Sequence, residues 1–284
     1  MEGYKYIQVH FGDKIGGDQI GAVAYVQFMH ILTSKFVTIE FFIKSHEGGA
    51  SLHNTIPDTF DPREALVYIF LQFIELGAEV GFFFDLTNYN NVYIASKGID
   101  FLTFDFSCKN SDFLNNFHDD KTYLKSLIYL ELIGKMFFLN DINNNFENFG
   151  FLNLVNSYKD IRLIDFAIND GLMKENMLER FLNKDISLTN KTSLDDEIRV
   201  LFEVSSDEKK AYAKEIISSC FDSLVSEFNR AINFTREFIK TSDYQNKLLY
   251  DKDRRDFQNK MANFELYINL VARNFDIFKN GLNK

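Results

Sequence analysis

Two short segments near the amino terminus carry the side chains that a hydrolytic metal site needs. The six candidates are His10, Asp13, Asp18, His46, Glu47 and His53. Both segments follow predicted strands, and if those strands are parallel neighbours the two loops share one edge of a sheet. Imidazoles and carboxylates gathered there can hold a divalent metal ion, whose bound water attacks a phosphodiester or similar bond. A metal-dependent hydrolase or nuclease is therefore one hypothesis for this chain.

The spacing of these residues is weaker evidence than their types. His46, Glu47 and His53 do not form the H-E-x-x-H motif, and no spacing in the two segments places two ligands one helical turn apart. The alternative interpretation is that His10 alternates out of its strand and that the others are solvated loop residues. Under that interpretation the chain needs no cofactor.

The glycine-rich segment 11–19 lies between a predicted strand and a predicted helix, where phosphate-binding loops occur. Gly12 and Gly17 match the glycine spacing of a P-loop, but Asp18 and Gln19 occupy the positions of its Lys and Ser or Thr. A carboxylate there repels a phosphate, so a turn followed by an Asp helix cap is the favoured interpretation.

One further spacing resembles the D…(E/Q)-x-K layout of restriction-type nucleases. Asp85 and Lys97 supply its ends, but Ala95 stands at the acidic or amide position, so one metal ligand is absent. The alternative is an ordinary hairpin with Asp85 at the end of a strand.

Heptad spacing runs through two stretches near the carboxyl terminus, in different frames. Their predicted interface positions are Ile217, Phe221, Leu224, Phe228, Phe257, Met261, Phe264, Ile268 and Phe275. Alternating steps of three and four place each set on one side of a helix, which requires a partner helix. Because Phe238 and Phe257 break the alternation, the pattern predicts a turn between two long helices that fold back on each other as an antiparallel hairpin.

Composition limits the class of protein. Hydrophobic residues make up 46% of the 284 residues and charged residues 25%, which is typical of a globular chain with a large core. The net charge is −10 and no region is basic, which argues against a dedicated nucleic-acid binder. The amino terminus lacks a signal-peptide pattern and the two cysteines lack metal spacing, which together favour a cytoplasmic location without membrane insertion.

The order of patterns predicts three regions. Residues 1–110 are expected to form an α+β or α/β domain with a mixed sheet in the order β-α-β-α-β-β-β. Its two helices are expected from Asp18 to about Ser34 and, after a start at Asp61 and Pro62, to about Glu79. Residues 111–204 are expected to form a helical connecting region, with helices at 122–139, 151–158, 161–168, 174–182 and 193–203. Residues 205–284 are expected to form the long hairpin of an all-α carboxy-terminal half.

These patterns favour an interaction subunit over an enzyme. The heptads, the acidic charge and the lack of a complete catalytic motif indicate a non-catalytic component of a cytosolic multiprotein complex. The abundance of Phe, Asn, Lys and Ile suits a bacterial or phage source. We expect the hairpin to dock a protein partner or a second copy of the chain, and the metal-dependent hydrolase is the competing hypothesis.

Overall fold

The computed structural model describes residues 3–14, 18–54, 57–88, 90–110, 121–142, 145–152, 155–182 and 204–283. The chain forms two compact units, each built from separate pieces of sequence. The first unit comprises Met1–Ile69, Ala78–Ile99 and Phe234–Phe264. The second unit comprises Phe70–Gly77, Asp100–Asn233 and Glu265–Lys284. The division into regions 1–110, 111–204 and 205–284 stays a prediction.

A five-stranded antiparallel sheet dominates the first unit. Its strands are β1 (Tyr4–Asp13), β2 (Gly21–His30), β3 (Phe36–Ser45), β4 (Val80–Phe84) and β5 (Val92–Lys97). They lie in the order β1-β2-β3-β5-β4, and all of these pairings are antiparallel. The strands rich in aromatic and β-branched residues form as their alternating patterns predict.

Two parts of the sequence-based description of this sheet are wrong. The described pairings are antiparallel rather than mixed, and the segment predicted as a helix from Asp18 to about Ser34 contains strand β2. The residues Ala24 and Phe28 fit a helical spacing, but they also fit the two-residue period of a strand. Pairing with a ten-residue strand on each side satisfies the backbone of β2, and that tertiary context decides the outcome.

Helix α1 (Pro62–Phe73) begins where the sequence predicts. Proline at its start needs no hydrogen-bond acceptor, and the carboxylate of Asp61 accepts a 2.9 Å hydrogen bond from the backbone N–H of Arg63. The helix ends at Phe73, before the end that the sequence predicts near Glu79. Glu75 has a φ of 58°, a left-handed conformation that cannot continue an α-helix.

The second unit contains short strands as well as helices. Its elements up to residue 182 are β6 (Phe101–Thr103), α2 (Phe104–Lys109), α3 (Thr122–Met136), β7 (Leu139–Asn140), β8 (Phe149–Leu152), β9 (Ile161–Leu163), β10 (Ala167–Ile168) and α4 (Met177–Leu182). A short 3₁₀ turn, Asp170–Lys174, precedes α4. Strands β6, β8 and β9 form one antiparallel sheet, and β7 pairs with β10.

These strands correct the prediction of an all-helical region after residue 110. The segments 151–158 and 161–168 were expected to be helices, yet β8, β9 and β10 run through them. Their apolar runs are too short for the periodicity to distinguish a strand from a helix. The helix expected at 193–203 lies outside the described residues.

The carboxy-terminal half is helical from Met177 onward in the part that the structure describes. After α4 come α5 (Ser206–Ser242), α6 (Tyr244–Lys247) and α7 (Asp251–Leu282). Asp243 has a φ of 52°, and this left-handed residue separates α5 from α6. None of the described helices combines the length and apolarity that crossing a lipid bilayer requires.

Candidate interaction surface

One face of the amino-terminal sheet is built almost wholly from apolar side chains. The strand register places one alternating set from each of β1, β2 and β3 on this face. The apolar members of the set are Tyr4, Tyr6, Val9, Phe11, Ala22, Ala24, Val26, Phe28, Val37, Ile39, Phe41 and Ile43. We call these residues the aromatic sheet face. The same register also places His30 and the charged Asp13 on this side of the sheet, opposite Tyr4 and Ala22.

A β-bulge at Ile7 creates the continuity of this face. The pairing of β1 with β2 shifts between Tyr6 and Gln8, so one extra residue enters β1. Without that residue, strict alternation would place Gln8 on the face with Tyr6. With it, Val9 and Phe11 join Tyr6 on this face, and Asp13 follows them at the end of the strand.

Large side chains on the aromatic sheet face remain open to water. Phe11 is 68% exposed and Tyr6 is 53% exposed, and Val37 is exposed as well. Register neighbours pack across the strands, as in the 6.2 Å edge-to-face contact between the rings of Tyr6 and Phe28. Such cross-strand contacts stabilise the sheet, but they leave the outer surface of the rings uncovered.

The opposite face of the same strands carries more polar residues. The amide of Gln8 donates a 3.1 Å hydrogen bond to the amide oxygen of Gln27, and Lys5, Thr38 and Glu40 share that face. In antiparallel sheets with this alternation, the apolar face is normally the buried one. Here the more apolar face exposes the rings of Phe11 and Tyr6, and the more polar face exposes Tyr25, Phe36 and Phe42 as well.

The apolar surface continues onto the other two strands of the sheet. Ser45 of β3 pairs with Tyr93 of β5, and Tyr93 pairs with Phe83 of β4, so these two aromatic residues extend the same face. Their rings stack with centroids 5.5 Å apart, and Phe83 is exposed. Exposed rings therefore lie on this face at β1 and at β4, and Lys97 lies on it opposite Phe41.

The predicted metal ligands do not converge in the described residues. His10 lies exposed on the more polar sheet face, opposite Tyr25 in the strand register, and Asp13 is exposed at the end of β1. Asp18 and His53 do approach each other, with Oδ1 and Nε2 3.9 Å apart on the surface. Among the described residues, no three His, Cys, Asp or Glu side chains are grouped to hold a metal ion.

His46 is buried instead of lining a loop. Its Nε2 lies 2.9 Å from the carbonyl oxygen of Asn90, which can only accept, so Nε2 carries the hydrogen. Within the part of the chain that the structure describes, the other ring nitrogen, Nδ1, has no hydrogen-bond partner. Burial lowers the pKa of His46 to about 4, because the charged imidazolium loses its hydration. A neutral, enclosed imidazole of this kind supports the fold.

Glu47 contacts a second buried titratable group, Glu64. Its backbone N–H donates a 3.0 Å hydrogen bond to Oε2 of Glu64, a residue of α1 that is itself buried. Burial raises the pKa of Glu64 to about 8, and the nearby Lys44 opposes that rise. The sequence analysis did not single out Glu64, since a Glu in the first turn of a helix is ordinary.

Asp85 and Lys97, the two ends of the nuclease-like spacing, form ordinary local contacts. Asp85 accepts a 2.6 Å hydrogen bond from the hydroxyl of Thr87, as the first residue of a turn does. Lys97 forms a 2.9 Å ion pair with Glu79. Residues 15–17 of the glycine-rich segment lie outside the described residues, and Lys14 donates a 2.8 Å hydrogen bond to the carbonyl oxygen of Gln19.

The predicted interface positions of the two heptad stretches are mostly buried within the chain. Seven are buried: Ile217, Leu224, Phe228, Phe257, Phe264, Ile268 and Phe275. Phe221 and Met261 are partly exposed. In the second unit the ring of Phe275 contacts those of Phe221 and Phe228, at 6.2 and 5.4 Å between centroids. In the first unit Phe257 contacts Tyr244 at 4.8 Å.

Comparison with protein families, curated proteins and solved structures finds no match for this chain.

Proposed function

We propose that this chain is a non-catalytic interaction subunit of a multiprotein assembly, and that it binds its partner through the aromatic sheet face. The single observation that supports this proposal is the exposure of Phe11, Tyr6 and Phe83 on a face whose alternation is that of a buried surface. Apolar surface gains roughly 25 cal/mol for each Å² removed from water, so covering this face provides a driving force for association.

The two long helices form the second part of the proposal. We infer that α5 and α7 fold back on each other as a hairpin, which the ring contacts from Phe275 to Phe221 and Phe228 support. Because most of the heptad positions are buried, docking through the hairpin has to involve residues outside the two stripes. Phe234 on α5 and Leu266 on α7 are exposed and suit that role.

A cytosolic setting, in a bacterial or phage complex, belongs to the same proposal. Cys108 and Cys220 are free and buried. Burial raises the pKa of the Cys108 thiol to about 12, so it stays protonated and unreactive at neutral pH. Buried thiols of this kind are ordinary core residues in a reducing compartment.

The competing hypothesis was a metal-dependent hydrolase. It relied on convergence of His10, His46 and His53, and two of these side chains are exposed while His46 is enclosed. No specific geometric observation among the described residues favours it, so the interaction subunit is the function that we propose.

Site-specific photocrosslinking in cells that make the protein tests the proposal. A photoreactive phenylalanine analogue replaces Phe11 in one variant and Phe36 in the control. Phe36 is 58% exposed on the same sheet, but the register with Met29 places it on the opposite face. We expect a discrete crosslinked protein from position 11 and a weaker product from position 36. Equal crosslinking from both positions, or no discrete product from position 11, would contradict the proposal.

A further inference from the structure

We propose that the end of the amino-terminal sheet that carries the turn between β2 and β3 binds the surface of an anionic lipid bilayer, with Ile31 and Leu32 inserted at the boundary between headgroups and acyl chains. This inference goes beyond the proposed function and does not depend on a protein partner for the aromatic sheet face. Three properties of this end of the sheet support it: the distribution of its exposed apolar side chains, its charge and the construction of its turn.

Three strands extend beyond the rest of the sheet at this end. Strand β3 pairs with β2 from Phe36 onward, but it pairs with β5 only from Phe41. Within the described sheet, residues 36–39 therefore pair with a strand on one side only, and they extend over about 14 Å. We call residues 3–8 and 27–38 the β-arm. None of its residues is buried, and every residue from Ile31 to Thr38 is exposed.

Apolar side chains of the β-arm are exposed at its tip and on both of its faces. Leu32 and Ile31 in the turn are 89% and 61% exposed. The register places Phe36 and Tyr6 on opposite faces, and both rings are exposed. A flat protein surface covers only one of two faces, whereas the interfacial region of a bilayer surrounds a structure that enters it. This distribution therefore favours a lipid surface over a protein.

The charge of the β-arm is opposite in sign to that of the whole chain. The chain has a net charge of −10, yet the β-arm contains Lys5 and Lys35 and no Asp or Glu; Glu2 precedes it and Glu40 follows it. Anionic headgroups attract lysine side chains close to the membrane surface. In physiological salt, charges more than about 10 Å from the bilayer are largely screened, so distant carboxylates oppose binding only weakly. The β-arm is thus complementary to an anionic surface.

The turn has a fixed backbone whose hydrogen bonds are made within the β-arm. The N–H of Ile31 donates to the carbonyl oxygen of Gly3 at 2.9 Å, and the N–H of Ser34 donates to that of His30 at 2.8 Å. The N–H of Thr33 donates to Nδ1 of His30 at 3.2 Å. Because these polar groups are already paired, moving the turn from water into the interface leaves few of them unsatisfied.

Flotation of the purified full-length chain with lipid vesicles tests the inference. One set of vesicles contains equal parts of phosphatidylcholine and phosphatidylglycerol, and the other contains phosphatidylcholine alone. We expect the chain to bind the anionic vesicles at least ~5-fold more tightly than the neutral ones. Raising sodium chloride to about 0.5 M should weaken that binding. No binding to the anionic vesicles, or equal binding to both sets, would overturn the inference.

A substitution at the tip tests which part of the chain meets the lipid. Leu32→Asp should lower the partition coefficient on anionic vesicles by ~10-fold or more, because a carboxylate at this position resists leaving water. The control is Leu86→Asp. Leu86 is 81% exposed in the turn after β4, which the pairing of Tyr93 with Ser45 places at the opposite end of the sheet.

Both leucines are exposed, so both variants are expected to fold, and far-UV circular dichroism checks this. The control should bind as the wild type does. A Leu32→Asp chain that binds anionic vesicles as tightly as the wild type would overturn the inference.

A fluorescent probe reports insertion directly. Cys108 and Cys220 are buried, so a nitrobenzoxadiazole maleimide reacts preferentially with the exposed thiol that Leu32→Cys introduces. Its emission should shift to shorter wavelength when anionic vesicles are added, since the interface is less polar than water. The same probe on Leu86→Cys should show no shift. A probe at position 32 that remains in water while the chain binds would overturn the inference.

A protein is the competing occupant of the β-arm. A photoreactive residue at position 32 that gives a discrete crosslinked protein in cells, together with no binding to anionic vesicles, would overturn the lipid surface and leave the interaction subunit standing. The absence of a discrete crosslink from position 11 would overturn the interaction through the aromatic sheet face, and vesicle binding through Leu32 would then stand alone.

Discussion

The ammonium group of Lys209 lies 2.9 Å from Oε2 of Glu131, and both side chains are 1% exposed. Lys209 sits in the first turn of α5 and Glu131 in α3, so one ion pair joins two helices of the second unit. The ammonium also donates a 2.8 Å hydrogen bond to the carbonyl oxygen of Phe181 in α4. Three helices therefore meet at a single buried cation.

Breaking this ion pair should destabilise the fold strongly. Replacing Lys209 by Met leaves Glu131 buried without its counter-charge, and we expect a loss of about 3–5 kcal/mol in the free energy of unfolding. The double variant Lys209→Met, Glu131→Leu should recover much of that loss, because two apolar side chains can fill a buried site without leaving a charge. Urea unfolding of the single and double variants gives the coupling energy between the two residues.

The surface pair Arg230 and Glu227 is the control for this prediction. Their 3.2 Å contact on α5 leaves the guanidinium group well exposed, so substituting either residue should cost less than about 1 kcal/mol. A similarly small cost for Lys209→Met would show that water reaches Glu131 and that the pair is not enclosed.

Glu64 should make the protein less stable as the pH rises. Its pKa is about 8 in the folded chain, against an ordinary value of 4.5, so the folded state binds the proton more tightly than the unfolded state does. The stability is fully present below pH 4.5 and is lost progressively up to pH 8, on the order of 5 kcal/mol in all at about 1.4 kcal/mol per pKa unit.

Glu64→Gln should remove that dependence. Glutamine resembles the protonated acid and can still accept the hydrogen bond from the backbone N–H of Glu47. We expect the variant to match the wild type near pH 4.5 and to be more stable near pH 8, in urea unfolding at several pH values. Substitution of the exposed Glu75 by Gln is the control. Parallel curves for wild type and Glu64→Gln would contradict the buried, protonated carboxyl.

The titration of His46 should make the protein more stable as the pH rises, which is opposite to the effect of Glu64. Its pKa falls from 6.5 to about 4 on folding, so the unfolded chain binds a proton more readily. The contribution to stability is present above pH 6.5 and is lost as the pH falls through 4, about 3 kcal/mol in total. Between pH 4.5 and 6.5 the losses from His46 and Glu64 have opposite signs, so the wild-type stability should vary little there.

The variant His46→Gln isolates this contribution. It removes the titration of the imidazole, so stability should no longer fall with pH below 6.5 on account of this group. The exposed His53 provides the matched control, since its substitution leaves the buried imidazole in place. A pH profile of His46→Gln that runs parallel to the wild type would show that His46 is accessible to water.

Secondary structure was predicted correctly from the sequence where the hydrophobic pattern has one clear period or the helix start is marked by proline. The start of α1 followed from Pro62, and the alternation in β1 and β3 identified both strands, because local preference and tertiary pairing agree there. Strand β2 was missed because Ala24 and Phe28 fit a helix as well as a strand. Pairing between segments decides such cases, and a single sequence does not display that pairing.

The aromatic sheet face could be predicted only in part. Alternation in β3 marks one apolar side, but in β1 the strict period fails after Tyr6, and only the bulge at Ile7 restores it. The burial of His46 is likewise a long-range effect, since its partner Asn90 lies 44 residues along the chain. The metal hypothesis depended on parallel strands sharing an edge, and the antiparallel sheet removes that premise.

Phe275 offers a test of whether the heptad stripes belong to the interior of the chain. Its ring contacts those of Phe137 and Phe228 within the second unit, and the side chain is buried. Phe275→Ala should lower the free energy of unfolding of the monomer by about 3–5 kcal/mol. Leu266 lies on the same helix and is 57% exposed, so Leu266→Ala should change that free energy by less than about 0.5 kcal/mol. A monomer that Phe275→Ala leaves unaltered would indicate that Phe275 serves a partner instead.

Two glycines of the amino-terminal sheet should respond differently to the same methyl group. At Gly21, the first residue of β2, a Cβ atom would overlap the carbonyl oxygen of Ile43 on the neighbouring strand β3. Because that oxygen belongs to the backbone, the strands have to move apart, and we expect Gly21→Ala to cost about 2–4 kcal/mol. At Gly81 in β4 no atom lies within 4 Å of the added Cβ.

Gly81→Ala should therefore be neutral or stabilising by up to about 1 kcal/mol, since alanine restricts the unfolded chain more than glycine does. Thermal unfolding of the two variants under identical conditions measures the difference. Equal effects of the two substitutions would mean that β2 and β3 are not as close at Gly21 as the register requires. Because the aromatic sheet face depends on that register, the same comparison also tests the alignment that places Phe28 and Val37 on one side of the sheet.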